Sequence, residues 1–161
     1  MLGPLRNLTQ AVQTLTNNRS DAIVIGKFTV HLAIIFTLVM CTFYNETIRQ
    51  YALENVMGLP LSMVNYITPA LLLTPLLALS MTAAAYTRGQ LLASRKTGAI
   101  AFASVARILA VCATGLIALS FSDVNGAVVG VIALIGAFTS ETIILGCKVL
   151  YAERWQGGLF R

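Results

Sequence analysis

Four long apolar blocks, separated by short polar or charged stretches, constrain this chain more than any other feature. They cover residues 22–44, 61–86, 97–121 and 127–151. Each block has roughly 20–26 residues, which is enough for a helix to cross ~30 Å of hydrocarbon. Charged residues make up 11% of the chain, against roughly 25% in soluble domains. The sequence therefore predicts an all-α integral membrane protein with four transmembrane helices.

The first 21 residues are too polar to be a signal peptide or a fifth span, because no apolar core precedes a cleavage site. Their apolar residues recur three and four positions apart, at Leu5, Leu8, Val12 and Leu15. This spacing is typical of an amphipathic helix that lies on a membrane surface. We expect residues 1–21 to be a cytoplasmic interfacial segment, residues 22–151 one transmembrane domain, and residues 152–161 a cytoplasmic tail.

Basic residues fall on alternate sides of the four spans. Most stand at or before the start of span one, between spans two and three, or at or after the end of span four: Arg6, Arg19, Lys27, Arg88, Arg95, Lys96, Lys148, Arg154 and Arg161. The turn after span three carries only Asp123. Because cytoplasmic loops hold the excess of Lys and Arg, this pattern predicts cytoplasmic N- and C-termini, in a membrane we expect to be a bacterial inner membrane. The net charge of +5 is assigned to orientation and to anionic membrane lipids, and not to nucleic acid.

Catalytic and metal-binding patterns are missing from the sequence. Cys41, Cys112 and Cys147 each stand alone in apolar sequence, which fits neither metal-ligand spacing nor a disulfide framework. The chain has one histidine and no GxSxG, phosphate-loop or HExxH motif. We expect no enzyme activity, no metal and no cofactor.

Two ionisable residues lie deep in the predicted spans, where each costs about 2.5–3.5 kcal/mol on insertion scales. Arg107 lies ten residues from the cytoplasmic start of span three, and Glu141 ten residues from the cytoplasmic end of span four. Both are therefore about 15 Å deep. The short turn between these spans requires an antiparallel hairpin, so the two charges meet. We predict an Arg107–Glu141 ion pair that faces the protein interior.

The predicted ion pair has two interpretations. As a structural clamp, which the sequence favours slightly, it holds spans three and four together. As a coupling site, it binds a proton or a substrate. Small residues on the stripe of Glu141 allow close helix packing: Gly126, Gly130, Ala133 and Ala137.

Four further residues are candidates for lining a cavity: His31, Asn65, Pro69 and Pro75. Each proline removes a backbone hydrogen bond and should kink span two, and Thr68 and Thr74 can satisfy the freed carbonyls. Broken helices often line transport sites, although kinks also occur in inert bundles. His31 is a candidate proton relay, although a histidine packed against a neighbouring hydroxyl is the more common arrangement.

The stretch from Pro69 to Thr97 resembles the multidrug/oligosaccharidyl-lipid/polysaccharide (MATE-like) exporters, in which a fourth span ends in a cytoplasmic loop of the form RG-x-L…(R/K)-T. The matching residues are Arg88, Gly89, Leu91, Lys96 and Thr97. The segments PLRNLTQ at residues 4–10 and NGAVVG at residues 125–130 are similar to the progressive-ankylosis-like branch of these exporters.

The resemblance implies that the four spans correspond to spans three to six of a six-helix half, the C-terminal one. Such exporters carry two halves around a central cavity, so this chain would supply part of the wall. The implied function is a transporter-like exporter or flippase that acts only as an oligomer, with itself or other membrane protein subunits. An amphiphilic or lipid-linked organic anion would suit the arginine. The alternative is a non-catalytic accessory or structural subunit of a larger membrane complex.

Overall fold

The computed structural model describes residues 3–16, 18–95, 97–120 and 125–155, and over these ranges it is helical, with short turns. Its helices are α1 (Gly3–Leu15), α2 (Arg19–Cys41), α3 (Glu46–Gln50), α4 (Leu61–Leu72), α5 (Thr74–Ala93), α6 (Thr97–Leu119) and α7 (Gly126–Trp155). A 3₁₀ turn at Thr42–Tyr44 precedes α3, and a π-helical segment at Tyr51–Val56 follows it. The predicted all-α class is confirmed.

Helices α2, α6 and α7 are each long and apolar enough to cross a membrane, and they correspond to spans one, three and four. Helices α4 and α5 form span two when the bent pair is counted as one span. Two helices run further than the predicted spans: α5 continues to Ala93 and α7 to Trp155. Three parts of the predicted organisation lie outside the described residues. They are most of the predicted turn (residues 121–124), Lys96, and residues 156–161 of the predicted tail.

The spans pack in the order α2, α5, α7, α6. The start of α2 meets the end of α5, where the Tyr86 hydroxyl donates a hydrogen bond to the Ala22 carbonyl at 3.1 Å. Within the described ranges, α2 makes no more than marginal contact with α6 or α7. The transmembrane domain is therefore a row of helices and not a closed four-helix bundle.

Span two bends by 46° between α4 and α5, and Pro75 supplies the reason. Pro75 sits in the first turn of α5, where its missing N–H is not needed. The carbonyl that a residue at 75 would normally serve is that of Leu71. The Thr74 hydroxyl donates to this carbonyl at 2.6 Å, as the sequence predicted for a freed carbonyl.

Pro69 behaves differently from Pro75, although a threonine precedes both. Helix α4 continues through Pro69. The Thr68 hydroxyl donates to the Val64 carbonyl at 2.7 Å, which the helix already serves through the Thr68 N–H. The carbonyl that Pro69 leaves without a helical donor is that of Asn65, so the predicted repair by Thr68 does not occur here.

We expect Thr74→Val to lower the free energy of unfolding by about 0.5–1.5 kcal/mol, because the Leu71 carbonyl then loses the hydrogen bond from the Thr74 hydroxyl. Thr68→Val is the matched control and should cost less, since its acceptor keeps a backbone donor. In a Pro75→Ala background the restored N–H serves Leu71, so Thr74→Val should cost nothing more. Equilibrium unfolding in SDS measures all three effects. Equal losses from Thr74→Val in both backgrounds would contradict this account of the bend.

Tyrosines tie α4 to the helices on either side of it, at the end of the molecule away from α1. The Tyr44 hydroxyl, just after α2, donates to the Leu72 carbonyl at 2.8 Å, at the bend. The Tyr66 hydroxyl accepts from the Gly126 N–H at 3.0 Å, and the Asn125 side chain donates to the Tyr66 carbonyl at 2.6 Å. These bonds fix the start of α7 against α4.

Helix α1 packs tightly across α5. A Cβ built on Gly89 of α5 would lie 2.6 Å from the Cβ of Val12 and 3.0 Å from the Thr9 carbonyl oxygen. No side chain other than hydrogen fits there without movement. The Thr9 hydroxyl lies 3.4 Å from the Ala85 carbonyl, to which it donates. Gly89 therefore sets how closely α1 approaches the membrane domain.

The predicted apolar stripe of α1 is divided between two environments. Leu8 and Val12 are buried, and they cluster with Ala85 of α5. Leu15 is exposed, and the side chain of Leu5 lies outside the described residues. The segment predicted to be interfacial thus contains a helix whose central apolar residues pack on protein.

Candidate functional site

Three charged side chains from three helices meet in the transmembrane domain. Arg88 of α5 donates from Nε to Glu141 Oε1 of α7 at 2.8 Å, and its Nη2 contacts the same oxygen. Arg107 of α6 places Nη1 3.5 Å from Glu141 Oε2. Glu141 Oε2 accepts no hydrogen bond from the described residues. Arg88 is therefore the principal partner of Glu141, and Arg107 the more distant one.

Arg88, Arg107 and Glu141 lie at the same depth in the transmembrane domain because apolar residues one helical turn away from each of them pack together. Leu91 of α5, Ala103 of α6 and Leu145 of α7 form a buried cluster. Each lies three or four residues from Arg88, Arg107 and Glu141 respectively, toward the α1 end of the molecule. Ala103 is small enough to let α6 approach α7 closely. The apolar cluster thus sets the register of the charged group.

Burial separates the acid from its two partners. The Glu141 side chain is 0% exposed, whereas those of Arg88 and Arg107 are 28% and 37% exposed. A carboxylate removed from water in this way requires its charged partners. Two guanidinium groups share one carboxyl, and arginine stays protonated in proteins. Among the side chains that the structure describes, at least one positive charge at this site therefore has no carboxylate of its own.

Both arginines line a cavity of about 610 Å³. Its walls come from α5, α6 and α7, with Phe138 of α7 among them, and Thr9 and Gln10 of α1 cover one side. Glu141 lies behind the arginines and fixes them from the protein side. This volume is in the range of small-molecule sites, which run from about 300 to 1,000 Å³.

A second, apolar groove of about 250 Å³ adjoins this cavity between α6 and α7. Arg107 and Phe138 line both spaces. Beyond them the groove is walled by aliphatic side chains such as Ile108, Val111 and Leu134. The arginine-lined cavity is thus joined to an apolar groove that runs along α6 and α7.

Two of the three charged residues are the pair that the sequence predicts, Arg107 and Glu141, and they come together at 3.5 Å. The main partner of Glu141 is Arg88, which the sequence pattern places in the loop between spans two and three. That assignment was wrong, because α5 continues to Ala93 and carries Arg88 on its face toward α7. Extending the helical pattern of span two through Leu91 would have placed Arg88 on the packed face.

The other cavity candidates lie away from the arginines. His31, Asn65 and Pro69 are exposed, and Pro75 is buried at the bend. None of the four lines the arginine cavity or the adjoining groove. His31 Nδ1 lies 2.7 Å from the Lys27 carbonyl of its own helix, where a bond to a neighbouring hydroxyl had been the expected arrangement.

The predicted stripe of small residues on α7 is buried along half its length. Ala133 and Ala137 are 8% and 1% exposed, so they pack at the helix interface. Gly126 and Gly130 are exposed, and a Cβ built on Gly130 would meet nothing within 4 Å. Gly130 therefore makes no close helix contact, whereas Gly126 contacts α4, where a Cβ would lie 3.2 Å from the Tyr66 hydroxyl. Cys41, Cys112 and Cys147 are all free and exposed.

No protein family model matches this chain, and no solved structure matches it. The resemblance to MATE-like exporters stays a prediction.

Proposed function

We propose that this chain is a transporter-like membrane protein that binds an amphiphilic organic anion and acts as an oligomer. The observation that carries the proposal is the sharing of one buried Glu141 by Arg88 and Arg107 at the wall of a cavity. A carboxyl that only neutralised a structural arginine would need one partner. The second arginine leaves a positive charge facing an open space, where an anion can pair with it.

The shape of the site supports an amphiphile over a bare inorganic ion. The cavity of about 610 Å³ continues past Arg107 and Phe138 into an apolar groove. A charged head near the arginines and an apolar tail along α6 and α7 would both find matching surroundings. The groove opens on helices whose outer faces are apolar and exposed, as a route from lipid requires.

The row of spans supports action as an oligomer. Among the described residues, the cavity is walled by α1, α5, α6 and α7, and α2 stands at the far side of α5. Alternating access needs a second bundle that moves against the first around the bound substrate. A second copy, or another membrane subunit, would supply it. We further propose that the protein lies in a bacterial inner membrane with both termini in the cytoplasm. The cavity, which α1 covers on one side, would then open toward the cytoplasmic side of the transmembrane domain.

Leaflet exchange tests this function. The protein is reconstituted into phosphatidylcholine vesicles that contain an NBD-labelled phosphatidate, and dithionite quenching then counts the label in the outer leaflet. We expect quenching beyond half of the label, with loss of most of this excess in Arg107→Gln. NBD-labelled phosphatidylcholine is the matched zwitterionic control and should exchange more slowly. Equal exchange of both lipids, or none of either, would overturn the proposal.

One observation favours a second candidate, the non-catalytic accessory or structural subunit. Glu141 is 0% exposed and holds arginines from two neighbouring helices, as a clamp between α5, α6 and α7 would. Native mass spectrometry after gentle extraction separates the two candidates. A homo-oligomer, or a pair with another transporter-like chain, supports transport. Stoichiometric attachment to an unrelated membrane complex supports the accessory function.

A further inference from the structure

Helix α1 contributes to the arginine cavity although it lies outside the transmembrane spans. Thr9 and Gln10 line the same cavity as Arg88 and Arg107. The Thr9 hydroxyl is already used, since it donates to the Ala85 carbonyl. The Gln10 side chain is exposed and has no hydrogen-bond partner among the described residues. Gln10 therefore lines the cavity that Arg88 and Arg107 also line, and the described residues leave its side-chain amide free to bind a ligand.

The position of Gln10 depends on how α1 docks. Val12 is 0% exposed and lies against Gly89 of α5, and Leu8 is buried beside it. Leu8 and Val12 share the docked face of α1, and Gln10 lies about 160° around the helix axis from each of them. Gly89 follows Arg88 directly in the chain. Any movement of α1 away from α5 would therefore carry Gln10 out of the cavity, while Arg88 and Arg107 would stay in place.

We propose that Gln10 is the third ligand of the anion, so that anion binding and the docking of α1 on α5 stabilise each other. The proposal rests on the proposed anion site. An amide N–H₂ donates to carboxylate, phosphate or sulfonate oxygens, and it adds a directional contact to the two guanidinium groups. Because the anion would bridge α1 to α5 and α6, it binds the docked state better than the undocked one, and linkage makes the effect reciprocal.

Titration with octyl phosphate tests the role of Gln10. Binding is measured by native mass spectrometry of the full chain in a neutral maltoside detergent. We expect Gln10→Ala to weaken binding about tenfold, the loss of one hydrogen bond to a charged group. Gln10→Glu should weaken it further, because a carboxylate would repel the anion. Gln13→Ala is the matched control, since Gln13 is exposed on α1 and does not line the cavity; it should bind as wild type does.

Hydrogen exchange of α1 tests the reciprocal effect. Octyl phosphate should slow amide exchange over residues 7–15 in the wild type and in Gln13→Ala, but not in Gln10→Ala. Octyl glucoside, which has the same tail and no charge, should not slow it. Equal affinity of Gln10→Ala and wild type would overturn the assignment of Gln10 and leave the anion site standing. Absence of octyl phosphate binding to the wild type would overturn both.

Discussion

Replacing Arg88 with glutamine should lower the free energy of unfolding by about 3–5 kcal/mol, the usual cost of leaving a buried charge without its partner. Glu141 is fully buried and takes both contacts to its Oε1 from Arg88. Arg107→Gln should cost much less, about 1 kcal/mol, because Arg107 lies 3.5 Å away and its side chain is 37% exposed. Equilibrium unfolding in SDS measures both values.

The double variant Arg88→Gln/Glu141→Gln is the control for this result. It removes both charges of the principal pair, so it should recover most of the stability that Arg88→Gln loses. A loss from Arg107→Gln equal to or greater than that from Arg88→Gln would contradict the ranking of the two arginines. It would instead support the pair that the sequence alone predicted, Arg107 with Glu141.

Replacing Gly89 with alanine should displace α1 and cost about 1–3 kcal/mol, the usual range for overpacking a close contact. The added Cβ would lie 2.6 Å from the Val12 Cβ, and 3.0 Å from the Thr9 backbone oxygen, which cannot rotate away. Hydrogen exchange should show faster exchange over residues 7–15, with little change in α6 and α7. Thermal unfolding gives the accompanying loss of stability.

Gly115→Ala is the matched control, since a Cβ at Gly115 of α6 would meet nothing within 4 Å. It should leave exchange over α1 unchanged, and it should stabilise the helix slightly because alanine has the higher helix propensity. The double variant Gly89→Ala/Val12→Ala removes the clash with Val12 Cγ1 but keeps the clashes with the Cβ of residue 12 and the Thr9 carbonyl oxygen. It should therefore restore the slow exchange of α1 only in part. Unchanged exchange over α1 in Gly89→Ala would show that Gly89 does not set its position.

The stability results also bear on the two interpretations of the charged group. In a clamp, Arg107 adds only the modest stability expected of its longer contact with Glu141, and it has no role in leaflet exchange. A substrate site requires Arg107 for exchange even though its effect on stability is small. Arg107→Gln therefore separates the interpretations, because the ion-pair geometry predicts a modest structural effect from it.

The sequence by itself determined the class of protein and the approximate spans. Runs of more than 20 apolar residues have few stable alternatives to membrane helices, because lipid offers no partner for an unpaired backbone group. The same local rule predicted a kink at both Pro69 and Pro75, since proline lacks an N–H wherever it stands. The break between α4 and α5 lies beside Pro75, whereas α4 continues through Pro69. The meeting of Arg107 and Glu141 also followed from counting along two adjacent helices, where a short connection fixes the register.

Only the tertiary structure decided which residues complete the site. Arg88 and Glu141 are 53 positions apart, and no local periodicity links α5 to α7 or shows that they run side by side. The contact of Val12 with Gly89 likewise joins α1 to a helix far along the chain, and this places Gln10 at the cavity. Helix spacing along the sequence gives depth and face, but the choice of neighbouring helices depends on packing summed over the whole molecule.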